Sequence, residues 1–184
     1  MCGIYGLCSG GAALAPVLEG LSRLEYRGYD SAGVAFFTAQ GAVKTLRTTE
    51  RVERLKQMAA AETDGGTAIA HTRWATHGGV TLQNAHPHTV GRVTLVHNGI
   101  IENYERLRAE LGYAPVSGTD TEIAAALIDS EYGADPVRAL EAAAARLEGS
   151  YALAVIFSDR PGLIYAMRRE SPLALMRTAD GCFL

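Results

Sequence analysis

No stretch of this chain is apolar for as long as a membrane crossing requires, and the N-terminus lacks a basic segment leading into a long apolar one. Neither a membrane partner nor a secretory leader is therefore expected. Cysteine is scarce. The three present, at positions 2, 8 and 182, are odd in number and too widely spaced for a disulfide framework, so a reducing cytoplasm fits best. An excess of one charge sign is also missing: the net charge is −3, which gives no electrostatic reason to expect nucleic acid or an anionic membrane surface as partner. Low-complexity tracts, internal repeats, charge blocks and linker-like segments are all absent. The 184 residues therefore amount to one domain, or one domain plus a fragment, and 48% hydrophobic residues supply the material for a substantial core.

The apolar pattern predicts a short strand over 2–8, stopped by Ser9-Gly10-Gly11, then an amphipathic helix carrying Leu14, Val17, Leu18, Leu21 and Leu24 on one face and ended near Gly28. Two β-rich runs, 33–38 and 42–48, read as a hairpin, and Val52, Leu55 and Met58 mark a helix over about 50–62. A strand over 67–73 leads into a long loop over about 75–91, and Val93–His97 forms another buried strand that Asn98-Gly99 is expected to cut off. Three helices follow, over about 102–111, from the N-cap cluster Thr119-Asp120-Thr121 with Glu122 in its first turn, and over about 136–148. Strands over 150–158, 163–168 and 173–177 come next, and Cys182-Phe183-Leu184 begins a further one. Hairpins rather than repeated βαβ units favour a layered α+β fold with antiparallel sheets over a doubly wound parallel one.

Cys2 stands directly behind the initiator methionine. Removal of Met1 would put a thiol and a free α-amine on one residue, and their ordinary pKa values, about 8.5 and about 7.7–8.0, make proton transfer between them cheap. Four polar segments lie at strand ends or in loops, where sites are built: Tyr26–Gly33, His71–Gly78, His97-Asn98-Gly99 and Gly118–Glu122. Each has an ordinary explanation alone: an Arg27–Asp30 ion pair, a turn, a helix start. Together with Cys2 they supply the parts needed to hydrolyse the side-chain amide of free glutamine. Arg73 can grip the α-carboxylate through its planar fork, Asp120 can take the α-ammonium, and the side-chain amide of Asn98 with the backbone N–H of Gly99 can receive the tetrahedral oxyanion.

The stretches CGIYG at 2–6, LEYRGYDSAG at 24–33, AHTRWATHG at 70–78, NAHPH at 84–88, VHNGIIENY at 96–104 and TDTE at 119–122 occur in this order, followed by GSYALAV at 149–155 and ESPL at 170–173. In these the chain resembles the class II glutamine amidotransferase domain of the glucosamine-6-phosphate synthase family. The resemblance implies an N-terminal-nucleophile hydrolase fold, a four-layer αββα sandwich of two antiparallel sheets between helices, acting without a cofactor. It implies Cys2 as nucleophile with its freed amine as base, Asn98 and Gly99 as oxyanion hole, and Arg73 and Asp120 as holders of glutamine. Trp74, Thr76 and His77 would belong to a loop that closes over the substrate, and Arg27 would organise the nucleophile. It also implies sugar-phosphate isomerase domains acting on fructose 6-phosphate, which are absent from these 184 residues. Tyr26 and Tyr29 around Arg27-Gly28 separate the chain from the phosphoribosylpyrophosphate type and from asparagine synthetase-like domains.

Gly118 departs from the family pattern, in which a bulkier polar residue is common, and is expected to loosen the entry to the following helix. The five histidines, at 71, 77, 86, 88 and 97, crowd one region, and His86-Pro87-His88 has a spacing able to ligate zinc. No carboxylate or cysteine lies in that region to complete a set, so no metal is expected. His71, His77 and His97 read instead as strand-end groups around the pocket.

Overall fold

Period-two alternation divides the side chains of the central strands between two different cores. This computed structural model describes residues 2–74 and 79–184. Its elements in chain order are β1 (Gly3–Cys8), α1 (Leu14–Ser22), β2 (Ser31–Thr38), β3 (Val43–Thr48), α2 (Val52–Ala59), β4 (Asp64–Arg73), β5 (His88–Val90), β6 (Val93–Ile101), α3 (Tyr104–Leu111), α4 (Asp120–Glu131), α5 (Pro136–Arg146), β7 (Gly149–Phe157), β8 (Tyr165–Arg169), β9 (Met176–Arg177) and β10 (Cys182–Phe183). A 3-10 turn, Glu25–Arg27, joins α1 to Gly28. The strands form two antiparallel sheets, of order β3-β2-β4-β1-β10-β9 and β5-β6-β7-β8.

Along β2, Val34 and Phe36 point into a core shared with α1 and α2, whereas Ala35 and Phe37 point the other way, into a layer shared with Val96, Ala154 and Ile156 of the second sheet. Along β7, Leu153, Val155 and Phe157 turn towards α3, α4 and α5. Strands buried on both faces require helices outside both sheets, and the result is the four-layer αββα sandwich. Burying each large side chain in these cores contributes roughly 1.5–3 kcal/mol. Helix α4 is buried at every position from Asp120 to Ile128, so its start is fixed deep in the molecule. No helix among the described residues is long and apolar enough to cross a membrane.

Three expectations need correction. Asn98-Gly99 does not end β6, which continues to Ile101 and pairs Asn98 with Ala152 and Gly99 with Tyr151. Gly99 has a φ of +129, so the left-handed backbone that makes Asn-Gly a common turn is used here inside a strand. A Cβ on Gly99 would lie 2.0 Å from the Ser150 carbonyl oxygen, so only glycine lets the two strands approach so closely. Second, the loop read over 75–91 contains β5, which adds an edge to the second sheet by pairing with β6. Third, the strand read over 173–177 shrinks to Met176-Arg177, exposed at the edge of the first sheet.

Candidate active site

Register brings the first residues of the chain to the end of β4. Gly3 faces Thr72 across the β1–β4 ladder, so Cys2 arrives beside Arg73 and Trp74, and Ser31 faces Arg73 on the other side. The Cys2 thiol accepts the Trp74 backbone N–H at 3.3 Å and lies 3.7 Å from the Trp74 carbonyl oxygen. Burial pushes this thiol up from its ordinary value. The Trp74 N–H and the Arg73 charge oppose that rise, and the Asp30 charge adds to it. The half-buried Arg27 sits on the 3-10 turn that Gly28 ends, and this turn is fastened to the same strand end. Asp30 N–H donates to the Arg73 carbonyl at 3.0 Å, and a Cβ on Gly28 would meet the Arg73 carbonyl carbon and the Trp74 nitrogen at 2.9 Å.

One cleft is lined by Cys2, Arg73, Trp74, His86, His97, Gly99, Thr119, Asp120 and Thr121. The structure thus gathers Cys2, Arg73, Trp74, Gly99 and Asp120 from four separate parts of the chain. Thr76 and His77 lie outside the described residues. Trp74, 47% exposed, stands at the rim with its ring edge-on to Tyr29 at 6.0 Å. Arg73 is buried, and burial pushes its guanidinium down from the usual value while Cys2, Asp30 and Asp120 pull it back up. Its Nη1 donates to the Gly79 carbonyl at 3.2 Å.

Asp120 opens α4, where the positive end of the helix favours a carboxylate. Its Oδ2 accepts the Ile101 N–H at 2.8 Å, and its Oδ1 lies 3.4 Å from the Thr121 hydroxyl and 3.7 Å from His97 Nδ1. Thr119 does not cap the helix with its side chain. Its hydroxyl goes instead to Ser117 Oγ at 3.0 Å and to His88 Nε2 at 3.1 Å. Glu122, in the first turn, ties down the loop that precedes the helix, its carboxylate accepting the N–H groups of Val116 and Ser117 at 2.9 and 2.6 Å. Gly118 does not loosen this entry, because its N–H donates to Asn84 Oδ1 at 2.8 Å while Asn84 Nδ2 donates to the Gly79 carbonyl at 2.9 Å. Asn84 therefore ties the start of α4 to the carbonyl that holds Arg73.

The Asn98 side chain crosses between the sheets and donates from Nδ2 to the Cys2 carbonyl oxygen at 3.2 Å. Behind it lies a buried histidine cluster. His71 and His86 stack at 4.2 Å between centroids, and His86 meets His88 edge-on at 4.8 Å. His86 Nε2 and His97 Nδ1 both reach the Thr121 hydroxyl, at 2.8 and 2.9 Å. Burial lowers all four imidazoles, His71 to about 3 and His88 to about 4, so they are neutral near pH 7. With Nε2 of His86 and of His88 turned to threonine hydroxyls, the two rings do not converge as chelators. Among the described residues no three His, Cys, Asp or Glu side chains are grouped to hold a metal. His86, Thr119 and Thr121 were missed as cleft residues by sequence reasoning. NAHPH and TDTE were visible as motifs, but nothing local in them identifies a partner 24–35 residues away.

A family model described as glutamine amidotransferase domain matches residues 71–184. Glutamine–fructose-6-phosphate aminotransferase (isomerizing) of Legionella pneumophila strain Paris is 49% identical over 182 residues, covering 95% of this chain and 30% of that protein. The protein of the same name from Gluconobacter oxydans is 46% identical over 181 residues, with the same coverage. The chain thus spans about 30% of the length of these curated relatives. Among solved structures, glutamine phosphoribosylpyrophosphate amidotransferase from B. subtilis superposes with a TM-score of 0.84 at 21% identity, over all of this chain and 41% of that one. A glutamine aminotransferase class-II domain protein from Silicibacter pomeroyi gives a TM-score of 0.67 at 21% identity, over 98% of this chain and 87% of that one. Those two likenesses carry the fold. The family match, which covers more than half of the chain, carries the membership: this chain belongs to the glutamine amidotransferase domain family.

Proposed function

We propose that this chain hydrolyses the side-chain amide of L-glutamine through a Cys2 thioester. It would be the ammonia-supplying part of a longer protein that makes glucosamine 6-phosphate from fructose 6-phosphate. The observation that supports this most is one cleft lined by a buried cation, Arg73, a buried anion, Asp120, and the Cys2 thiol. A free amino acid is a zwitterion, and removing both of its charges from water is favourable only where each meets its opposite.

After loss of Met1, the Cys2 α-amine takes the thiol proton and Sγ attacks the amide carbon. The charge that develops on the amide oxygen is received by Asn98 Nδ2–H and the Gly99 N–H. Collapse breaks the C–N bond, and the proton held by the amine leaves with ammonia. Water then attacks the thioester, which releases glutamate and restores the thiol. Arg73 and Asp120 keep the α-carboxylate and α-ammonium fixed throughout, Arg27 organises the nucleophile, and Trp74 stands at the rim of the cleft. By the family resemblance Thr76 and His77 would add polar contacts to glutamine. The aminotransferase names of the relatives at 46–49% identity, and the 30% of their length that this chain spans, support residues 1–184 as the glutaminase domain preceding sugar-phosphate isomerase domains.

An amine locked in a peptide bond cannot serve as the base, so the α-amine mechanism predicts that ammonia release tracks the fraction of chains lacking Met1. Intact mass and ammonia release from L-glutamine, measured on one sample, test it. Equal turnover with Met1 retained would refute the mechanism.

A further inference from the structure

The Asn98 side chain serves an oxyanion in only one of its two orientations. With Nδ2 towards Cys2 it donates a hydrogen bond; turned over, it presents a carbonyl oxygen to a developing negative charge. The terminal amide torsion of asparagine is broad and roughly two-fold, so the residue does not select the useful orientation itself. A neighbour must do so.

His71 has the geometry for it. It lies on β4, paired with Ile4 of β1 on one side and Gly33 of β2 on the other, and is 1% exposed. Its Nε2 lies 2.9 Å from the His97 carbonyl oxygen and 3.0 Å from Asn98 Oδ1. A backbone carbonyl only accepts, so Nε2 carries the hydrogen, and the group facing it on Asn98 must be the oxygen. At the other end of the amide, Nδ2 donates to the Cys2 carbonyl at 3.2 Å. A flipped amide would set N–H against N–H at the His71 end and oxygen against oxygen at the Cys2 end. The ring is itself held in place. It stacks on His86 with an interplanar angle of 29°, and His86 is anchored to the Thr121 hydroxyl. Burial keeps His71 neutral with one ring hydrogen, and its buried Nδ1 has no hydrogen-bond partner among the described residues.

We propose that His71 is a positioning residue for glutamine hydrolysis, its Nε2–H selecting the Asn98 orientation that donates to the oxyanion. The proposal rests on Asn98 being an oxyanion donor, as inferred above.

Steady-state glutamate release from L-glutamine by the Met1-free chain tests it, with His71→Phe, His71→Gln, Asn98→Ala and the double variant His71→Phe/Asn98→Ala. Phenylalanine keeps a ring against His86 but has no N–H. The expected result is a kcat lower by about 10- to 100-fold, the scale of a misplaced catalytic group. The KM for glutamine should stay within about twofold, and Cys2 should be alkylated by iodoacetamide at the wild-type rate. His71→Gln, whose terminal amide brings an N–H close to the Nε2 position, should recover much of the loss. Asn98→Ala should lower kcat by about 100- to 1,000-fold, and adding His71→Phe should lower it no further. Wild-type kcat in His71→Phe beside an impaired Asn98→Ala would overturn the proposal, as would losses that multiply in the double variant. Wild-type kcat in Asn98→Ala would remove the oxyanion reading itself, and the proposal with it. If His71→Phe does not stay folded, as judged by its melting temperature, His71→Asn takes its place in the same cycle, with an amide too short to reach Asn98.

Discussion

Lowering the pH from 7.5 to 5 should weaken this fold through its histidines rather than its carboxylates. His71, His86, His88 and His97 are each no more than 5% exposed, and burial depresses all four from the ordinary 6.5. For His88, Glu122 and Asp120 partly offset the burial while Arg47 and Arg73 reinforce it. For His97, Asp120 offsets it. In the unfolded chain the same rings titrate near 6.5. Below that pH the unfolded state takes up protons that the folded state refuses. Stability is therefore full above about pH 6.5 and falls as pH drops towards 4 and then 3, the folded-state values of His88 and His71. At pH 5 each of these two rings costs about 2 kcal/mol. His86 and His97 act in the same direction. About 4 kcal/mol is a large share of the 5–15 kcal/mol that holds an ordinary domain together.

Glu122 does not contribute in this window. Burial opposes its ionisation, but hydrogen bonds from Ser117, Val116 and Tyr113 prevail and hold it below its usual 4.5. Its stabilisation is lost only as pH falls through that lower value. Urea unfolding followed by circular dichroism at pH 7.5, 6.5, 5.5 and 5 measures the effect. With a typical slope for a small protein, the midpoint should fall by about 1–2 M. His88→Gln, which can still reach the Thr119 hydroxyl, should flatten the pH dependence by about one proton. A midpoint that stays constant or rises between pH 7.5 and 5 would refute the reasoning.

Gly99→Ala should lower stability by at least the about 1–3 kcal/mol of a strained backbone, because its φ of +129 and the Ser150 carbonyl 2.0 Å from the new Cβ leave the methyl no room. A wild-type melting temperature would show that β6 and β7 separate more easily than their pairing implies. Cys2→Ala should abolish glutamine hydrolysis while the half-buried position keeps the melting temperature near wild type; substantial remaining turnover would move the nucleophile elsewhere. Arg73→Lys replaces a planar fork with a point charge, and the KM for glutamine should rise about tenfold or more while Cys2 is alkylated at an unchanged rate. An unchanged KM would argue against Arg73 as the carboxylate clamp.

Chemistry was more legible in the sequence than geometry. The thiol of Cys2, the guanidinium of Arg73 and the carboxylate of Asp120 are readable because the chemistry each group offers resides in the residue type. The run 33–38 was readable as a strand of a hairpin, but only the structure shows it buried on both faces, with Val34 and Phe36 in one core and Ala35 and Phe37 in another. Asn98-Gly99 misled because a left-handed glycine serves a turn and a close strand crossing equally well. Only the approach of Ser150 and Tyr151, some fifty positions away, distinguishes the two.

The sequence by itself determined which groups can act here: a thiol, two opposite charges, an amide and a set of imidazoles. Tertiary structure alone decided how they face one another. Register carried Cys2 to Arg73, the buried start of α4 aimed Asp120 into the same cleft, and His71 and the Cys2 carbonyl between them oriented Asn98. The physical reason is range. Periodicity and capping are local and leave their mark on neighbouring residues, whereas the partner of a buried hydrogen bond is settled by packing between segments far apart in the chain.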